Sequence, residues 1–249
     1  MKLSNLALTL MIASTSSTAM ADESKPFRWG IGLAAVAQDQ GYTDVGNETV
    51  VVPVVAIEYG NFSLLGPRAN YKLYQSENFE LSASAQLRMD GYEEDDGDIF
   101  KGMEDRDMAF DAGFEAEIDT SFGEFGLELM HDLTSTHEGF EFSASYGIPF
   151  RLEKGRVVPY ISANYQSDKM VDYYYGVRAE EATASRQFYE PDAATSFEIG
   201  ISSDWYFGRG KHMIKADISY SAYGSEIKDS PLVDKSGSTQ LLLGYVYVF

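Results

Sequence analysis

From Phe27 to Phe249 the chain alternates between apolar and polar side chains, and no other feature limits its fold so strongly. Phe79, Leu81, Ala83, Ala85, Leu87 and Met89 are apolar, while the interleaved Glu80, Ser82, Ser84, Gln86 and Arg88 are polar. The same rhythm runs through 27–34, 108–118, 140–148 and 197–205. Successive side chains of a strand point to opposite faces, so a period of two describes strands with one apolar and one polar face. The closing segment shows it again. Leu241, Leu243, Tyr245, Tyr247 and Phe249 share one parity, with Gln240 and Gly244 on the other.

Alternation alone fits two architectures. A soluble sandwich buries its apolar face, whereas a transmembrane barrel turns that face outward to lipid. Three features favour the barrel. The polar parities are rich in Gly and Ser, which suits a crowded lumen. The apolar parities end in Phe, Trp or Tyr, as the girdles at membrane interfaces do. Connections also fall into two classes. Short ones lie near Gly60-Asn61, Ser76-Glu77-Asn78, Ser121 to Glu124, Glu153-Lys154-Gly155 and Gly208-Arg209-Gly210, and long ones cover about 38–48, 90–107, 167–192 and 223–236. Outer-membrane barrels keep short turns in the periplasm and long loops outside.

That orientation sets the strand count. With 62–74 as one strand the total is odd, and the acidic 90–107 loop falls on the periplasmic side. Division at Gly66-Pro67, into Phe62–Leu65 and Arg68–Tyr74, gives twelve strands and restores every loop to its side. Pro67 supports the break, because proline donates no ladder hydrogen bond. The expectation is an all-β, up-and-down antiparallel barrel of twelve strands, closed between the first and the last. Ten is the alternative if the short pair does not span.

The N-terminus adds an address. Lys2, an apolar run from Leu6 to Ala13 and the Ala19-Met20-Ala21 site describe a cleaved secretory signal over 1–21. Residues 22–249 are then one barrel domain. No later segment has the roughly 18 uninterrupted apolar residues of a membrane helix. Cysteine is absent, so no disulfide, thiolate nucleophile or zinc-thiolate site is possible. A net charge of −20 argues against a nucleic-acid partner, which requires a basic face. The location expected is the outer membrane of a Gram-negative bacterium, against lipid and lipopolysaccharide.

Candidate chemistry is sparse. His131, Asp132, Ser135, His137 and Glu138 gather at one hairpin, where a His–carboxylate pair could act as a general base. They read equally as the polar rim of a loop, and His131 falls on the outward parity. The run Asp90 to Asp98 is dense in carboxylates but lacks calcium-loop spacing, with no Gly at the sixth position or Glu at the twelfth. It reads as a solvated acidic loop, with a loose divalent site bridging lipopolysaccharide phosphates as the functional option. No catalytic, cofactor or metal residue is assigned.

The inward parity is more informative. It collects Glu58, Glu80, Asp111, Glu115, Glu117 and Glu128, with Asp132, Glu141, Glu198, Asp204 and Asp217, against Arg28, Lys72, Arg88 and Lys215. Crowded like charges must be paired, hydrated or protonated. They form either a closed structural network or a narrow, cation-preferring passage for small solutes.

A strand ending in Tyr245, Tyr247 and Phe249 resembles the closing strand that the barrel-insertion machinery reads. Asp172 to Val177 with Glu180-Glu181-Ala182, Ser230 to Val233, and Gly102 to Arg106 are similar to the MipA/OmpV family, in order and over essentially the whole mature chain. The resemblance implies an outer-membrane barrel without agreed catalytic residues. It also implies an envelope scaffold linking a murein transglycosylase to a murein synthase. The other readings are the cation passage and a surface adhesin using Tyr173-Tyr174-Tyr175.

Overall fold

The computed structural model describes residues 27–39 and 41–249. The expected signal over 1–21 lies outside them. The chain runs as β1 (Arg28–Asp39), β2 (Glu48–Tyr59), β3 (Phe62–Leu65), β4 (Arg68–Gln75), β5 (Phe79–Arg88), β6 (Ala109–Thr120) and β7 (Gly123–Asp132). There follow β8 (Phe140–Gly147), β9 (Phe150–Leu152), β10 (Gly155–Gln166), β11 (Ala194–Phe207), β12 (His212–Ala222) and β13 (Gly237–Val248). Antiparallel pairing links neighbours in order and closes β13 onto β1, with Gly30 opposite Val248 and Asp39 opposite Thr239. Twelve strands form the ring, as the loop classes required.

The thirteenth, β9, stands outside the ring of pairings and meets β10 alone. It holds the register that β8 holds: Gly147 faces Tyr160, and Phe150 faces Val157. Between them Ile148 N donates to Pro159 O at 3.0 Å, and Pro149 has no N–H to continue the ladder. A proline thus splits one stave into two pieces.

The division at Gly66-Pro67 is also present. Gly66 has a φ of 57°, in the left-handed region that favours glycine, and its N–H donates to Val55 O at 2.9 Å. The β3–β4 hairpin is short, and beyond its tip Met89 packs inside the wall with Val36, Val50 and Leu242.

Outward side chains are predominantly apolar, as a lipid face demands. Phe27, Tyr59, Tyr74, Phe122, Phe150 and Phe249 are exposed at the short-turn end, and Phe110, Phe140, Tyr165 and Tyr220 towards the long-loop end. Two aromatic girdles result. No helix among the described residues is long and apolar enough to cross a membrane. The strands make the crossing.

Candidate functional site: a capped and ion-paired lumen

The long loops fold together over one end of the barrel. Within them lie the helices α1 (Asp168–Tyr175) and α2 (Ser225–Lys228). Their apolar side chains, which include Tyr42, Tyr92, Phe100, Val171, Ile227 and Leu232, make one buried cluster. Tyr92 and Phe100 stack at 3.9 Å, and Tyr42 meets Phe100 edge-on at 5.2 Å. Residues from four loops therefore share one core, and the loops form a cap.

Two arginines tie the cap. Arg106 Nη2 donates to both Glu181 carboxylate oxygens, at 2.9 and 3.0 Å, with both side chains at most 2% exposed. It also donates to the Tyr173 carbonyl at 2.8 Å. Arg186 donates to the Ile99, Lys101 and Glu181 carbonyls. Burial by itself would raise the Glu181 carboxyl. The Arg178 and Glu104 N–H groups and the Arg106 charge outweigh it and hold that carboxyl below its ordinary value. Burial lifts the Tyr223 hydroxyl to about 12, so Tyr223 stays neutral in the cap.

Below the cap the polar face carries three ion-pair clusters. In the uppermost, Arg88 serves Asp111 at 2.6 Å, Asp90 at 3.1 Å and Glu141 at 3.5 Å. In the middle, Arg68 reaches Gln86 at 3.2 Å, Glu115 at 3.1 Å and Glu128, while Lys72 pairs with Glu80 at 2.7 Å. Towards the short-turn end, Arg156 bridges Glu124 and Asp204, and Lys215 joins Asp204 at 3.0 Å. Tyr160 donates to Asp217 at 3.4 Å, and Ser221 to Glu198 at 2.7 Å. Arg28 and Glu58 pair at 3.4 Å on the exposed rim. Glu117 also faces inward.

Parity reasoning missed two central bases, Arg68 and Arg156. Arg68 shares the inward parity of Asn70 and Lys72, and Arg156 that of Val158 and Tyr160, so both were within reach of the same rule. The cap ties Arg106, Glu181 and Arg186 carry no periodic signal.

The hairpin cluster is a structural device. Asp132 accepts from Thr134 N and Oγ1 at 2.7 Å each, His137 N at 2.8 Å and Glu138 N at 2.9 Å. His131 is exposed on the lipid face. His137 Nδ1 accepts from Gly139 N at 3.1 Å, so in the neutral ring the proton sits on Nε2, which faces Asp111 Oδ1 at 3.4 Å. Asp111, Asp132 and His137 converge closely enough to hold a metal ion. That tautomer, the saturated Asp132 and the Arg88 charge beside Asp111 all oppose one. Neither ring nitrogen is free to serve as a base.

The acidic run is folded rather than merely solvated. Asp96 accepts from Glu93 N at 2.7 Å, Glu94 from Gly102 N at 2.7 Å, and Asp105 from Glu94 N at 2.8 Å. Tyr174 is buried against the His137 ring, and Tyr175 packs on the cap core.

Comparison with known proteins gives the family. The chain is 28% identical over 251 residues to the MltA-interacting protein of Escherichia coli (strain K12), covering 100% of this chain and 99% of that one. It is 28% identical over 177 residues to the outer membrane protein OmpV of Vibrio cholerae, across 70% of this chain and 68% of that one. Among solved structures, the translocator domain of the autotransporter NalP from Neisseria meningitidis matches with a TM-score of 0.48 at 12% identity, over 91% and 90% of the two chains. The pattern of the family described as MltA-interacting protein MipA matches residues 31–249. The chain belongs to that family of outer-membrane β-barrel proteins.

Proposed function

We propose that this protein is a non-enzymatic envelope scaffold whose short-turn, periplasmic rim binds murein-synthesis enzymes. One observation carries the reading. In a chain of net charge −20, one arc of that rim carries more basic than acidic side chains. Arg151 and Lys154 flank Glu153 in the β9–β10 hairpin, Arg209 and Lys211 project from the β11–β12 turn, and all four bases are exposed, Arg151 reaching Glu124 at 3.4 Å. These turns and the Arg28 end of β1 follow one another around the ring. Clustered surface charge steers association and fixes orientation even where contact area is small. That answers the main objection to a scaffold, the shortness of its turns. The name of the Escherichia coli relative, MltA-interacting protein, supports a murein transglycosylase as the partner class.

The test is co-purification. The tagged barrel should enrich a murein transglycosylase and a murein synthase over an unrelated outer-membrane barrel, and equal recovery would defeat the proposal. The second reading, a cation-preferring passage, draws on the acidic lumen. The cap and the ion-paired clusters oppose it, so the purified barrel should carry no cation-selective current in a planar bilayer. The adhesin reading loses its exposed aromatic motif, because Tyr174 and Tyr175 turn into the cap.

A further inference from the structure

Between the cap and the uppermost ion pairs lies a chamber of about 120 Å³. Its walls come from the barrel and its roof from the cap, where Tyr42, Tyr174, Tyr175 and Tyr223 face it. The volume exceeds what one water occupies several times over. It suits a small organic molecule.

The charge around it does not balance. Arg88 is the basic side chain in the chamber wall, and its one guanidinium is shared by Asp90, Asp111 and Glu141. Glu198, on the opposite wall, accepts from the Ser221 hydroxyl, and no cationic side chain among the described residues pairs with it. Carboxylates that outnumber the cations beside them favour a counter-charge.

The remaining groups say which counter-charge fits. Tyrosine rings attract ammonium groups at their faces and accept methylene stems. Gln166, whose amide nitrogen donates to Glu141 at 3.2 Å, lines the chamber too, and an amide oxygen accepts from N–H donors. The Tyr174 hydroxyl is buried, lies in a chamber-lining side chain, and has no hydrogen-bond partner in the structure. A bare metal ion would use the carboxylates and leave the rings and the volume unused.

We infer that the chamber is a binding site for a small organic ammonium compound, held between Glu198 and the Asp90–Glu141 wall beneath the tyrosine roof. The site is independent of the periplasmic rim. Because the roof belongs to the cap, entry from outside requires the cap to open, so binding should also protect the cap loops.

The test is calorimetric titration of the full chain, refolded in detergent micelles, with 1,4-diaminobutane at constant ionic strength. Saturable binding is expected, weakened at least tenfold by Glu198→Gln and unaffected by Glu58→Gln on the rim. Heat-modifiable gel migration verifies folding. Glu141→Gln disturbs a buried ion cluster, so Glu198→Gln is the deciding variant. No saturable heat, the same response to potassium chloride, or unchanged affinity in folded Glu198→Gln would each overturn the inference.

Discussion

Arg106 and Glu181 meet in a buried ion pair, one guanidinium nitrogen lying 3.0 and 2.9 Å from the two carboxylate oxygens, which joins the loop after β5 to the loop after α1. Each is far from the other in sequence, and neither lies in a strand. Their pairing turns separate loops into one cap. Charge-assisted hydrogen bonds are stronger than neutral ones, and breaking a buried pair strands a charge.

Glu181→Ala should therefore cost the cap about 3–5 kcal/mol while leaving the barrel intact. Hydrogen exchange read peptide by peptide would show faster exchange in 89–108 and 167–193, with β-strand amides unchanged. Uniform loss across the barrel would contradict a separable cap.

The same residue gives the cap a pH dependence. The Glu181 carboxyl is held below its ordinary value in the folded state. Its stabilisation is complete above the unfolded value of about 4.3 and is lost as pH falls through the lower folded value. Limited proteolysis of the loops should be slow at neutral pH and accelerate under acid, with Glu181→Gln showing less of this pH response.

In the lumen, Arg68 supports both Glu115 and Glu128. Arg68→Met leaves two half-buried carboxylates facing each other, at a cost of up to about 3 kcal/mol. Adding Glu128→Gln should recover part of that loss, a coupling that urea unfolding of the double variant would measure.

At the closing seam, Phe249 stacks on Trp29 at 4.2 Å, and its N–H donates to Trp29 O at 2.9 Å. Phe249→Ala should remove about 0.5–1.5 kcal/mol of ring contact beyond the lost area. The larger expected effect is on insertion, because Tyr245, Tyr247 and Phe249 form the proposed insertion signal. The folded, heat-modifiable fraction in membranes should fall, and unchanged assembly would contradict that role.

Much of this was legible in the residues. Period-two alternation assigned the faces of most strands, and the loop sides required the break at Gly66-Pro67 that β3 and β4 display. Membrane solvent makes that pattern strict, since a one-residue slip would turn charges such as Glu115 to lipid. The β8–β9 interruption at Pro149 was missed, because its register continues unbroken. The cap was missed for a different reason. Tyr42, Tyr92, Phe100, Val171 and Leu232 come from four different loops, and only tertiary packing brings them together. Arg68 and Arg156 obeyed the parity rule but stand near strand starts, where it has least context.

The central claim concerns the basic periplasmic arc, and charge reversal tests it most directly. Binding of a murein transglycosylase to the barrel in nanodiscs would be measured with Arg151, Lys154, Arg209 and Lys211 intact and with all four changed to Glu. The account expects saturable binding that weakens with salt and falls at least tenfold on reversal. Binding that is absent, or that survives reversal unchanged, would contradict it.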